Sequence, residues 1–164
     1  MSVKEQIISR LRATNRPNID KVIEYMEKNK FFFRGCNRHH HYTGGLADHA
    51  WQTYQVALQS VQNSEDATAL SEDSIAICTL LHDLCNCSGM GAFRGHGRRS
   101  ARIIKELGFK LTQQEFFAIR FHMGLHNKQS HPFYADACKS RLLTLVHKAD
   151  GRSAGMIQGS EVVR

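Results

Sequence analysis

Four side chains in this sequence have the types and placement for metal chemistry: His49, the adjacent pair His82-Asp83, and Asp150. The pair closes the run Ile75-Ala76-Ile77-Cys78-Thr79-Leu80-Leu81, which is too apolar to face water on any side. A charge buried there is costly unless it is paired. A divalent cation would satisfy an imidazole nitrogen and a carboxylate oxygen together. Taken singly, His49 and Asp150 each have a plain explanation as hydrogen-bonded core residues. Taken together, three apolar helical segments each turn a metal-capable group inward, and a buried carboxylate needs a counter-charge. Nitrogen and oxygen donors of this kind suit Mn, Fe, Co, Ni, Zn or Mg without selecting one.

The ordered set His49 … His82-Asp83 … Asp150 resembles the ligand set of the HD superfamily of metal-dependent phosphohydrolases. His40-His41-Tyr42-Thr43-Gly44-Gly45-Leu46-Ala47-Asp48-His49 is similar to the HHxYxGGLxxH stretch in HD domains of bacterial 3′→5′ exoribonucleases and their relatives. Leu80-Leu81-His82-Asp83 matches the family's doublet, and Lys148-Ala149-Asp150 resembles its closing motif. The likeness spans residues 30 to 152. It implies an all-helical fold and hydrolysis, by metal-activated water, of a phosphomonoester or phosphodiester in a nucleotide or short oligonucleotide. The enzyme would be of the nucleotidase or phosphodiesterase type. The resemblance also implies one or two divalent ions. Asp83 would bridge them, with His49, His82 and Asp150 on one ion and His96 and His122 on the other. His82 and Asp83 would be the catalytic pair.

His126 rivals His122 as a ligand, and His126 and Lys148 are candidates for contact with the leaving oxygen. His39, His40, His131 and His147 read as loop or structural residues. Many relatives carry a lysine shortly after the doublet, where this chain has Leu84-Cys85-Asn86. That departure favours the alternative of a catalytically weak regulatory module that binds metal or nucleotide. Replacement positive charge stands close by, since Arg94, Arg98 and Arg99 surround Gly95-His96-Gly97 at a helix start. Backbone N–H groups at such a start attract phosphate, and arginine adds bidentate contacts.

The elements that must position these groups read as an all-α bundle of six or seven helices in a single domain. A segment over residues 1–34 carries two short helices, with Val3, Ile7, Ile8 and Leu11 and then Ile19, Val22, Ile23 and Met26 at helical spacing. Phe31-Phe32-Phe33 closes it as an apolar plug. A metal-binding core over 35–152 follows. Gly44-Gly45 starts a helix to residue 62, striped by Leu46, Ala50, Thr53, Ala57 and Val61. Ser71 caps a central helix that runs to about Leu84. Another helix follows the glycine-rich loop and stops at Gly108. Thr112-Gln113-Gln114-Glu115 is a capping box for the helix that carries His122. Asp136 is expected to cap the last helix, with Leu142, Leu145, Val146 and Ala149 inside. Residues 153–164 read as a tail.

At 164 residues, the chain is long enough to bury one sizeable core. A net charge of +7 favours an anionic partner. The expected partner is a nucleotide or other phosphate ester, with short single-stranded nucleic acid and a homodimer also compatible. Five cysteines without framework spacing read as free thiols in a reducing cytoplasm. No run suggests a secretory leader or a membrane partner.

Overall fold

The computed structural model describes residues 1–36, 39–63, 70–88, 95–125 and 128–155. Among the described residues, eight α-helices and two 3-10 turns make up one compact domain, with no strand. Helix α1 (Val3–Ala13) opens on a capping box: Ser2 Oγ accepts from the Glu5 N–H, and the Ser2 N–H donates to Glu5 Oε2. Helix α2 (Ile19–Lys28) turns back and buries Ile19, Val22, Ile23 and Met26. A 3-10 turn at Phe31–Phe33 follows. Two of its rings join the core, while Phe33 is 64% exposed, so the expected plug is only two residues deep.

Helix α4 (Glu72–Leu81) is the axis of the molecule, because every residue from Ile75 to Leu81 is buried. Helices α1, α3 (Gly45–Gln62), α6 (Gln113–Phe121) and α8 (Arg141–Ala154) pack around it, and α5 (His96–Glu106) closes on α6. Each fully buried Leu or Ile contributes roughly 1.5–3 kcal/mol, so this apolar helix anchors what surrounds it. One polar knot ties the same elements. Glu115 is fully buried in α6, where it completes the Thr112 capping box. Its carboxylate also accepts from Arg16 Nη1 at 2.9 Å and from Ser74 Oγ at 2.8 Å.

Three boundaries differ from the sequence expectations. Helix α4 stops at Leu81 instead of continuing to about Leu84. His82 is its C-cap, and the chain turns through Asp83 into a 3-10 turn at Leu84–Ser88. A short helix α7 (Tyr134–Cys138) raises the count to eight. Asp136 lies inside it, and Ser140 caps α8 by accepting from the Leu143 N–H. Finally, α8 continues to Ala154 and buries Ser153, so residues 153 and 154, expected as the start of a tail, are helical. No helix among the described residues is long and apolar enough to cross a membrane.

Candidate metal centre

The end of α4 delivers the doublet. Because the helix stops at Leu81, the His82 and Asp83 side chains leave at a turn and do not follow a helical face. His82 Nδ1–H donates to the Thr79 carbonyl at 2.8 Å, which turns Nε2 towards the cluster. His122 repeats the device at the C-cap of α6, where Nδ1–H donates to the Ile119 carbonyl at 2.8 Å. Fixing one ring nitrogen on a carbonyl is how proteins aim the other at a metal.

His49 comes from the second turn of α3. Gly44 sits at φ +89°, and a methyl group on Gly45 would collide with the His40 carbonyl, so only glycine lets the 39–44 loop lie against α3. On the other side, Ser153 Oγ lies 3.2 Å from His49 Nδ1. Ser153 and Thr53, 2.6 Å apart, have backbone carbonyl acceptors at Asp150 and His49 respectively. Their protons are taken up within this network, which makes Ser153 the acceptor for His49 Nδ1–H. His96 begins α5 and stands against the doublet because the Cys85 N–H donates to Ser100 Oγ and the Cys85 thiol to the His96 carbonyl.

Six side chains thereby converge in two overlapping sets. In the first, His49 Nε2 lies 3.1 Å from Asp150 Oδ1 and 3.3 Å from His82 Nε2. His82 Nε2 is in turn 3.6 Å from Asp150 Oδ1 and 3.7 Å from Asp83 Oδ2. In the second, His96 Nε2 and His122 Nε2 are 2.8 Å apart and lie 3.3 and 3.6 Å from Asp83 Oδ1. Donors about 2.1 Å from one ion sit roughly 3.0 Å apart at right angles and roughly 3.4 Å apart at tetrahedral angles. The observed separations are of that size. Asp83 belongs to both sets through different oxygens, and its buried Oδ1 has no hydrogen-bond partner. A buried carboxylate oxygen left without a donor among imidazole lone pairs fits a cation.

The electrostatics agree. Burial opposes ionisation of both carboxylates, yet the surrounding histidines hold Asp83 and Asp150 below the ordinary carboxylate range. Burial also opposes a charge on His82, but Asp83 and Asp150 raise it to about 9. His122 is lowered to about 4 by burial and by its neighbour His82, and His96 is lowered chiefly by burial. The cluster therefore stabilises positive charge at its centre while keeping two imidazoles neutral as donors. Its His and Asp side chains are positioned to hold a metal ion.

Other sequence candidates fall elsewhere. Arg98 and Arg99 lie in the first turn of α5, with Arg99 in electrostatic reach of His96. Lys148 is not brought to the cluster. It lies two residues before Asp150, about 200° round the helix, in a cleft on the outer side of α8. Arg94 and His126 lie outside the described residues. His147 is structural, with Nδ1–H donating to the His122 carbonyl at 2.6 Å, and His131 bonds Arg120.

One residue, Ser153, and one contact, that of the loop residue His39 with His49, escaped the sequence reading. Ser153 has no motif and is found only through helical phase, four residues beyond Ala149. His39 packs its ring 4.4 Å from the His49 ring, and His39, His40 and His49 form a further set of close donors. The run His39-His40-His41 was the available signal for it. No protein-family model, curated protein or solved structure matches the chain.

Proposed function

We propose that this protein is a metal-dependent phosphohydrolase of the HD type, acting on a phosphomonoester or phosphodiester of a nucleotide or short oligonucleotide. The observation that carries the reading is the Asp83 carboxylate, which turns one oxygen to His82 and the other to His96 and His122. The ordered motifs around His49, His82-Asp83 and Asp150 support the family assignment. In this reading His49, His82, Asp83 and Asp150 would hold one divalent ion, and Asp83, His96 and His122 a second. A bound divalent ion supplies Lewis acidity and lowers the pKa of its water from about 15.7 towards 7.

The chain's own residues set the conditions for that chemistry. His82 and His122 are locked by backbone carbonyls, so their Nε2 atoms keep one orientation. Asp83 and Asp150 stay ionised near neutral pH, and His122 stays neutral and able to ligate. Arg98 and Arg99, at the start of α5 beside His96, supply positive charge towards phosphoryl oxygens.

A second reading, a metal- or nucleotide-binding regulatory module, is favoured by one observation. Leu84 and Cys85 are buried where relatives of this type present a lysine. A nucleotide panel separates the two. With added Mn²⁺ or Co²⁺, phosphate release is expected from at least one mono-, tri-, cyclic or oligonucleotide. Release should vanish in the double variant His82→Ala/Asp83→Ala. A metal-loaded protein inert across the panel would sink the enzyme reading and leave the regulatory one.

A further inference from the structure

A second site lies on the far side of α8. The helix buries Leu142, Leu143, Val146, Ala149 and Ser153 on its inner face. At 100° per residue, Arg141, Leu145, Lys148 and Arg152 fall within an arc of about 60°, opposite Asp150. This outer stripe and Lys139 border a cleft of about 650 Å³, whose other wall is the C-terminal part of α3. That volume lies within the range of about 300–1,000 Å³ typical of small-ligand sites.

The lining is chemically one-sided. Lys139, Arg141, Lys148 and Arg152 are exposed cations, and no acidic side chain is among the described lining residues. Among the described residues no carboxylate forms an ion pair with Lys139, Lys148 or Arg152, although Arg152 donates to Ser60 Oγ at 3.3 Å. Gln59, Ser60, Asn63 and Thr144 add neutral hydrogen-bonding groups, while Val61, Leu70 and Leu145 supply an apolar surface. Lys139, Lys148 and Arg152, three like charges bordering one concavity, repel one another, and an occupant with several negative charges relieves that cost.

We infer that this cleft binds a nucleoside polyphosphate, its phosphates on the Lys139, Lys148 and Arg152 side and its nucleoside against Val61, Leu70 and Leu145. The site is separate from the metal centre and stands whether or not the chain is a phosphohydrolase. Lys148, whose place in the sequence motif points to the metal centre, serves this cleft instead.

The cleft carries its own reporter. Cys138 lines it and is exposed, whereas Cys36, Cys78, Cys85 and Cys87 are buried. The rate of iodoacetamide labelling at Cys138, read by mass spectrometry, therefore reports occupancy of this cleft without requiring turnover. The non-hydrolysable probe adenosine 5′-(β,γ-imido)triphosphate is expected to slow labelling of the full chain in a saturable way. Lys148→Ala/Arg152→Ala should raise the protecting concentration by roughly ten- to a hundredfold, as loss of charged hydrogen bonds implies. Inorganic tripolyphosphate should protect only at higher concentration. Labelling unchanged by the probe, or protection unaltered in the double variant, overturns the site. Equal potency of tripolyphosphate overturns the nucleoside assignment. Displacement of the probe by a ten-residue oligothymidylate at lower concentration would assign the cleft to single-stranded nucleic acid instead.

Discussion

Replacing Gly97 by alanine tests whether close packing of α5 on α6 is what assembles the His96 and His122 pair. A methyl group at Gly97 would lie 2.5 Å from the Ile119 carbonyl oxygen and 2.6 Å from that of Arg120. Ordinary contact begins near 3.4 Å, so against the oxygen at 2.5 Å the methyl is about 0.9 Å too close, and the obstacle is backbone that cannot rotate away. The Ile119 carbonyl is also the acceptor that fixes the His122 ring. If the helices separate rigidly, the 2.8 Å gap between His96 Nε2 and His122 Nε2 widens by a similar amount. Metal sites tolerate errors of only about 0.2 Å in ligand distance. Overpacking of this kind costs about 1–3 kcal/mol, which for a chain of this size lowers Tm by roughly 2–12 °C. Gly97→Ala should therefore melt early and lose the ion held by His96 and His122, while the set around His49 and Asp150 keeps its ion. The matched control is Gly151→Ala in α8, where a methyl group meets nothing within 4 Å. There, removing backbone freedom should stabilise the fold by about 0.4–1 kcal/mol. Thermal melts and metal content of both variants give the answer. A Gly97→Ala protein with the parent's Tm and full metal content would refute the packing argument.

Removal of Ser153 should act on metal affinity more than on stability. Ser153→Ala deprives His49 Nδ1–H of its acceptor and should weaken the first ion about 10- to 100-fold, measured by competition with a chromogenic chelator. For Glu115, the Arg16 partner and hydrogen bonds overcome burial and hold the folded-state pKa below the ordinary value. Its stabilising contribution is thus present above the unfolded pKa of about 4.3 and is lost as pH falls through the folded value. Urea melts should show Glu115→Ala costing about 3–5 kcal/mol at pH 7 and markedly less at pH 3. An equal penalty at both pH values would show that the ion pair is not its source.

The fold class was legible because its signals are local. The unbroken apolar run of α4, the capping box at Thr112, and the stop at Gly108 each depend on neighbours within a few residues. The helix ends were less legible where tertiary contacts decide them. Nothing local says that α4 must stop at Leu81, but the stop is what aims His82 and Asp83. Helix α7 is five residues long, too short for a periodic signal, so Asp136 looked like a cap that Ser140 provides. Within the site, His49, His82, Asp83 and Asp150 could be read from residue type beside apolar runs, whereas His96 and His122 needed the family resemblance. Lys148 lies in the cleft on the outer side of α8, because adjacency in a motif does not set helical phase. Ser153 could not be placed, since its role arises from a contact 104 residues apart, and His39, read as a loop or structural residue, meets His49 only because its loop folds back on α3.

The central claim is that the His/Asp cluster is a two-ion centre shared through Asp83. Its most direct test is the metal content of the protein after equilibration with Mn²⁺ and removal of free ion, measured by plasma mass spectrometry beside His122→Ala. Two ions per parent chain and one per variant chain are the predicted result. Parent protein that retains no ion would contradict the account at its root, and a variant that still holds two would contradict the role of His122.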